Sequence, residues 1–131
     1  MRNCLSRILK KINCEGKELS VLFVDDTAIT EINKEYLSRD RPTNVIAFSM
    51  IEGEFCNINP HVLGDIVISV DTALKDAEME GLSFEDEIDY LLIHGILHLI
   101  GYDHEASESE AVKMKMKEQE LFFDLKGYLI D

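Results

Sequence analysis

The chain has 131 residues, 46% of them hydrophobic and 30% charged, which suits one domain with a single core and excludes two domains of ordinary size. Its formal net charge of −13 argues against a molecule that grips a polyanion with its whole surface, since nucleic-acid affinity comes largely from lysine and arginine set against phosphates. The acidity is local, however: residues 1–49 carry eight basic and seven acidic side chains, residues 50–110 one and fifteen, and residues 111–131 four of each. Any basic surface therefore comes from Arg2, Arg7, Lys10, Lys11 and Lys17, from Lys34, Arg39 and Arg41, or from Lys113, Lys115 and Lys117.

In chain order, Leu5, Ile8, Leu9 and Ile12 are spaced for a helix over residues 4–12, and LSVLFV at 19–24 is short and β-prone. Asp25 or Asp26 then caps a second helix with Ile29, Ile32 and Tyr36 as its apolar face, ending before the turn-rich RDRPTN. VIAFSM at 45–50 reads as a second strand. A loop around Gly53, Asn57, Asn59 and Pro60 leads from it to a neighbouring strand, LGDIVISV at 63–70. Asp71 is placed to cap a helix through Glu80 that Gly81 ends. Ser83, with Asp86 three residues on, opens the next helix, whose face of Phe84, Ile88, Leu91, Leu92, Ile96 and Leu99 is broad enough to bury most of it. Gly101 fits the C-terminal cap of that helix, and Ser107 with Glu110 starts a last one with Ala111, Met114, Leu121, Phe122 and Leu125 as its buried stripe. Short strands among about five helices, with no repeat or linker, predict one α+β domain over residues 1–131.

The longest apolar run, Tyr90 to Ile100, is broken by two histidines and falls far short of the roughly 20 residues a membrane span needs, so no membrane contact is expected. The basic N-terminus lacks an uninterrupted apolar stretch with a small-residue cleavage site, and the expected compartment is the cytoplasm. Cys4, Cys14 and Cys56 are odd in number and lack the close pairs of a thiolate zinc site, which fits reduced structural thiols.

Three of the four histidines fall within HGILHLIGYDH, residues 94–104. His94 and His98 stand one turn apart on the same face of a largely buried helix. Gly101 ends that helix and lets the chain turn back, so that His104 approaches as a third imidazole. A lone histidine in an apolar segment is ordinarily a hydrogen-bonded core residue. Three at this spacing read instead as ligands of one zinc ion, although nickel, copper or iron also accept imidazoles. Three imidazoles leave a fourth tetrahedral position open, the arrangement of hydrolytic zinc sites. The spacing is zincin-like and equals that of the metzincin proteases, but Gly95 stands where those enzymes carry the glutamate that serves as general base, which argues against a protease.

HGILHLIGYDH, with RPTNVIAFSM at 41–50, LGDIVIS at 63–69, INKEY at 32–36 and ISVDTALKDAEMEG at 68–81, resembles the YbeY family of bacterial endoribonucleases and ribosomal RNA maturation factors. The resemblance implies a small mixed β-sheet, one zinc ion on His94, His98 and His104, and a single-stranded RNA substrate rather than DNA. It also implies processing of the small-subunit (16S) ribosomal RNA 3′ end and a part in ribosome quality control. Many relatives carry an arginine after the tyrosine that precedes the Pro-Thr pair; here Leu37 follows Tyr36, and Arg39 or Arg41 lies close enough in sequence to supply the guanidinium that offsets charge at a scissile phosphate. Arg39 and Asp103 are thus the candidate catalytic side chains. Asp103 has three readings, general base, acceptor that holds a histidine tautomer, or turn former, of which the last two are favoured. Thr43, Asn44 and Ser49 are candidates for an RNA groove or for ordinary turn chemistry. Two rival functions stay open: a ribosome-assembly factor that binds RNA or a ribosomal protein and uses zinc only for its fold, and a small amidase-like hydrolase.

Overall fold

A computed structural model describes residues 2–49 and 62–130; the expected loop at Gly53, Asn57, Asn59 and Pro60, Cys56, and Met50 at the end of the second expected strand lie outside the described residues. The elements follow as α1 (Arg2–Lys11), β1 (Glu18–Val24), α2 (Asp26–Leu37), β2 (Val45–Ser49), β3 (Val62–Ser69), α3 (Val70–Glu80), α4 (Phe84–Leu99) and α5 (Glu108–Lys126). The sheet runs β1-β3-β2, with β1 parallel and β2 antiparallel to β3. This mixed sheet with five helices among the described residues is the expected α+β architecture.

As the middle strand, β3 has neighbours on both edges and helices on both faces, which is why its residues are almost continuously buried, Asp65 excepted. Val67 packs with Ile29 of α2 and Ile46 of β2, while Ile66 and Ile68 enter the main core with α4. The register against β1 slips between Glu18, opposite Val62, and Leu19, opposite Gly64, so Leu63 is an extra residue on β3. That bulge turns Leu63 into the same core as Ile66 and Ile68, which strict alternation of side chains forbids.

Helix α4 is the hub of the packing, in contact with β2, β3, α1, α3 and α5. Leu92, Ile96, Leu97 and Leu99 have no measurable exposure, and each such side chain contributes about 1.5–3 kcal/mol by leaving water. The apolar face expected of α4 is therefore present, except that Phe84 at its start is 42% exposed. Ser83 caps it by accepting from the Asp86 backbone N–H at 3.1 Å, but the reciprocal half of the capping box is replaced: Lys126 Nζ reaches Asp86 at 3.0 Å and also touches Asp89, tying the end of α5 to the start of α4.

Three local expectations are corrected. Tyr36 is 63% exposed and lies edge-on to Phe48 at 5.4 Å, while the buried positions on that helix are Ile29, as expected, and Asn33, whose amide donates to the Arg41 carbonyl at 2.9 Å. Asp71 does not cap α3; Ser69 does, accepting from Thr72 N, and the Asp71 carboxylate accepts from the Asp26 backbone N–H at 3.0 Å. Asp26 Oδ1 in turn accepts from the Ser69 and Thr72 hydroxyls, so the first turns of α2 and α3 are bonded to each other. The caps at Asp25, Gly81 and Ser107 are where expected, whereas the C-cap of α4 is Ile100 and the expected Gly101 follows it in the turn.

Glu87 of α4 is 2% exposed and its Oε2 has no hydrogen-bond partner among the described residues. Burial first, then the hydrogen bond and charge of Glu80 across from it on α3, then the charge of Asp76, push its carboxyl up to about 8. The folded protein thus holds a proton that the unfolded chain releases above the ordinary value of 4.5, so stability falls as pH rises from there to about 8. Denaturant midpoints measured across that range are expected to decline, with Glu87→Gln flattening the decline and stabilising the protein at pH 8. An identical pH profile in the two proteins would contradict this.

Candidate metal centre

Helix α4 carries His94 and His98 on the face turned toward β2, and the chain beyond it returns at Gly101, whose φ of +110° suits glycine. The Gly101 and Tyr102 backbone N–H groups donate to the His98 and Leu97 carbonyls, which closes the helix end and delivers His104. The three rings form a nearly equilateral set, with centroids 4.7 Å (His94–His98), 5.1 Å (His94–His104) and 4.9 Å (His98–His104) apart. One ligand nitrogen from each lies within 4.8 Å of the others, and His104 Nδ1 is 3.0 Å from His98 Nε2. Burial, then the neighbouring His94 and His104, hold His98 below its ordinary pKa, which favours the neutral imidazole that a metal binds. Donor type and convergence both fit a divalent ion of the zinc class, with His94, His98 and His104 as its protein ligands.

The histidines lie in an open cleft of about 360 Å³ that Arg39, Thr43, Asn44, Val45, Asp103 and Glu105 help to line. A larger cavity of about 570 Å³, bordered by Cys4, Phe23 and Phe84, contains none of them, so chemistry and not volume locates the site. Arg39 stands at the rim with its Nη2 3.3 Å from Glu105 Oε2. Arg41 is exposed and is not among the lining residues, so the structure brings only the first of the two candidate arginines to the cleft. Asp103 Oδ1 accepts from the Glu105 backbone N–H at 3.0 Å, which shapes the turn carrying His104, and its charge acts on His98. Asn44 is committed to Asp76 at 3.0 Å, and the Ser49 hydroxyl donates to the Leu99 carbonyl at 3.1 Å, fastening β2 to α4.

Gly95 has a packing reason. A Cβ there meets three atoms of Ile66 at 3.1–3.3 Å, so α4 settles on β3 at this glycine and a glutamate has no room without parting the two.

The spacing of the motif gave no hint of Glu118. This α5 carboxylate is 3% exposed, and its Oε2 is in short contact with His94 Nδ1. The available signal is its place in the apolar stripe, four residues after Met114 and three and four before Leu121 and Phe122, where a charge is out of keeping with the pattern.

A family model described as Endoribonuclease YbeY matches residues 1–126. The protein named Endoribonuclease YbeY from Syntrophus aciditrophicus (strain SB) is 54% identical over all of this chain and 82% of its own length. Its namesake from Geobacter metallireducens is 51% identical over 93% of this chain and 82% of that protein. A protein of Thermotoga maritima with a known solution structure superposes with a TM-score of 0.67 at 29% identity, covering 96% of this chain and 79% of that one. With the family model spanning nearly the whole sequence and relatives more than half identical along it, the chain belongs to the YbeY family of endoribonucleases.

Proposed function

We propose that the chain is a zinc-dependent endoribonuclease of single-stranded RNA that acts at the 3′ end of the small-subunit ribosomal RNA, in contact with that subunit and in the cytoplasm. The observation that carries this reading is the convergence of three imidazoles in an open cleft with an arginine at its rim, in a member of an endoribonuclease family. A divalent ion held by the three histidines supplies Lewis acidity toward a phosphoryl oxygen. The chain's own groups do the rest. Arg39 offers a planar donor pair for a phosphate at the rim, and Glu105 occupies it until substrate arrives, a weak hold because both side chains are about half exposed. Asp103 holds the turn that presents His104, which favours the positioning role over the general base. An odd number of cysteines without close pairs supports the reducing compartment.

The test is cleavage of a labelled single-stranded RNA, beside the same sequence as DNA and as duplex RNA. Cutting of the single-stranded RNA alone is expected. Arg39→Ala is expected to lower kcat/KM by about a hundredfold, the loss typical for one donor aimed at developing charge. Glu105→Gln is expected to lower KM by a few fold, as an exposed pair worth at most about 1 kcal/mol allows. A folded, metal-loaded protein that never cuts RNA, even with ribosomes present, returns the assembly-factor reading.

A further inference from the structure

Beneath the three histidines runs a continuous hydrogen-bonded chain from α5 to α4 and back. Lys115 Nζ lies 3.4 Å from the Tyr90 hydroxyl, that hydroxyl lies 2.9 Å from Glu118 Oε1, and Glu118 Oε2 meets His94 Nδ1. Its direction is set at one end. An ammonium has protons to give and no lone pair, so the Tyr90 oxygen accepts from Lys115 and sends its own proton to Glu118 Oε1. Lys115 also stands 5.2 Å from the centroid of the Tyr90 ring, which holds the same arrangement a second way. The other carboxylate oxygen then takes the N–H of His94. A carboxylate among Met114, Leu121 and Phe122 is a stability cost that an apolar residue avoids, which points to a duty at the site rather than in the core.

We propose that Glu118 is the positioning residue of the metal centre: by accepting from Nδ1 it keeps the His94 proton there and leaves the Nε2 lone pair free for the ion, with Tyr90 and Lys115 fixing the direction of the chain. This deepens the reading of His94 as a ligand and rests on it. No role in touching RNA is assigned to Glu118.

Two measurements separate the possibilities. The first is zinc affinity by competition with a chromophoric chelator, for the wild type, Glu118→Gln and Tyr90→Phe. Glu118→Gln is expected to weaken zinc by about 10–100-fold, the range for loss of such an outer partner, and Tyr90→Phe by about fivefold, the worth of one hydrogen bond. The second needs no metal: the nitrogen chemical shifts of the His94 ring in metal-free protein, which report Nδ1 protonation in the wild type and a mixed population in Glu118→Gln. The thermal midpoint of metal-free Glu118→Gln is expected to equal or exceed that of the wild type, an outcome that a purely structural carboxylate does not give. Equal zinc affinity in folded wild type and Glu118→Gln, or a wild-type His94 protonated on Nε2, overturns the proposal. A wild type that binds no zinc removes the metal reading and this proposal with it, whereas equal affinities remove the positioning role alone. Should Glu118→Gln fail to fold, unchanged zinc affinity in Tyr90→Phe overturns it.

Discussion

Replacing His98 with alanine is expected to reduce RNA cleavage to background and to weaken zinc by more than about a hundredfold, beyond what loss of an outer partner costs. His98 is the middle member of the trio, 4.7 Å from His94 and 4.9 Å from His104 between ring centroids, so its loss leaves two imidazoles that come from different segments. The fold is expected to survive. Leu97 and Leu99 on either side carry the packing of α4, while the His98 ring is only half-buried at the floor of the cleft. Alanine is also the better helix former by about 0.5 kcal/mol. The metal-free variant should therefore melt at or slightly above the metal-free wild type, and only the wild type should gain stability when zinc is added. Calorimetry with and without zinc, beside a cleavage assay, checks both halves; a variant that still takes up zinc as the wild type does would show that the three histidines do not act as one site.

Gly64→Ala is expected to be the most damaging single substitution for stability, by at least about 3 kcal/mol, combining backbone strain with overpacking. At φ +148° the residue occupies a conformation that glycine tolerates and alanine resists. A Cβ would stand 2.0 Å from the Phe48 carbonyl oxygen on one side and 2.9 Å from Leu99 Cδ2 on the other. The first neighbour is backbone, so no rotamer change relieves it. Because Gly64 pairs with Ser49, whose hydroxyl donates to Leu99, the displaced strand is the one that walls the cleft beside the histidines. With total stabilities of about 5–15 kcal/mol for domains of this kind, such a loss leaves the protein close to unfolding at ordinary temperature. Urea denaturation measures it; a loss below about 1 kcal/mol would mean that the bulge on β3 yields easily and is not a fixed part of the fold.

The features that could be read from the sequence are those written in a few adjacent residues. The i, i+4 pair His94 and His98 and the turn at Gly101 lie within eleven positions, and the caps at Asp25, Gly81, Ser83 and Ser107 are local chemistry. What escaped depends on partners distant in the chain. Asp71 is a good cap by composition, but the Asp26 backbone N–H claims its carboxylate and Ser69 takes the cap. Tyr36 has the spacing of a buried residue, yet α2 meets β3 mainly through Ile29, and the Tyr36 ring is left on the surface against Phe48. Glu118 reaches His94 across 24 positions, and the Arg39–Glu105 pair spans 66. Strand order is equally non-local, because the parallel pairing of β1 with β3 brackets α2 and β2 and leaves no mark in either strand's own pattern.

The most direct test of the central claim is to strip the protein of metal with a chelator, remove the chelator, and titrate zinc back while following cleavage of single-stranded RNA. Activity is expected to be absent from the stripped protein, to return in proportion to added zinc, and to level off at about one equivalent, the single ion that one set of three imidazoles holds. Cleavage that persists undiminished in the stripped protein, or that zinc fails to restore, would contradict it.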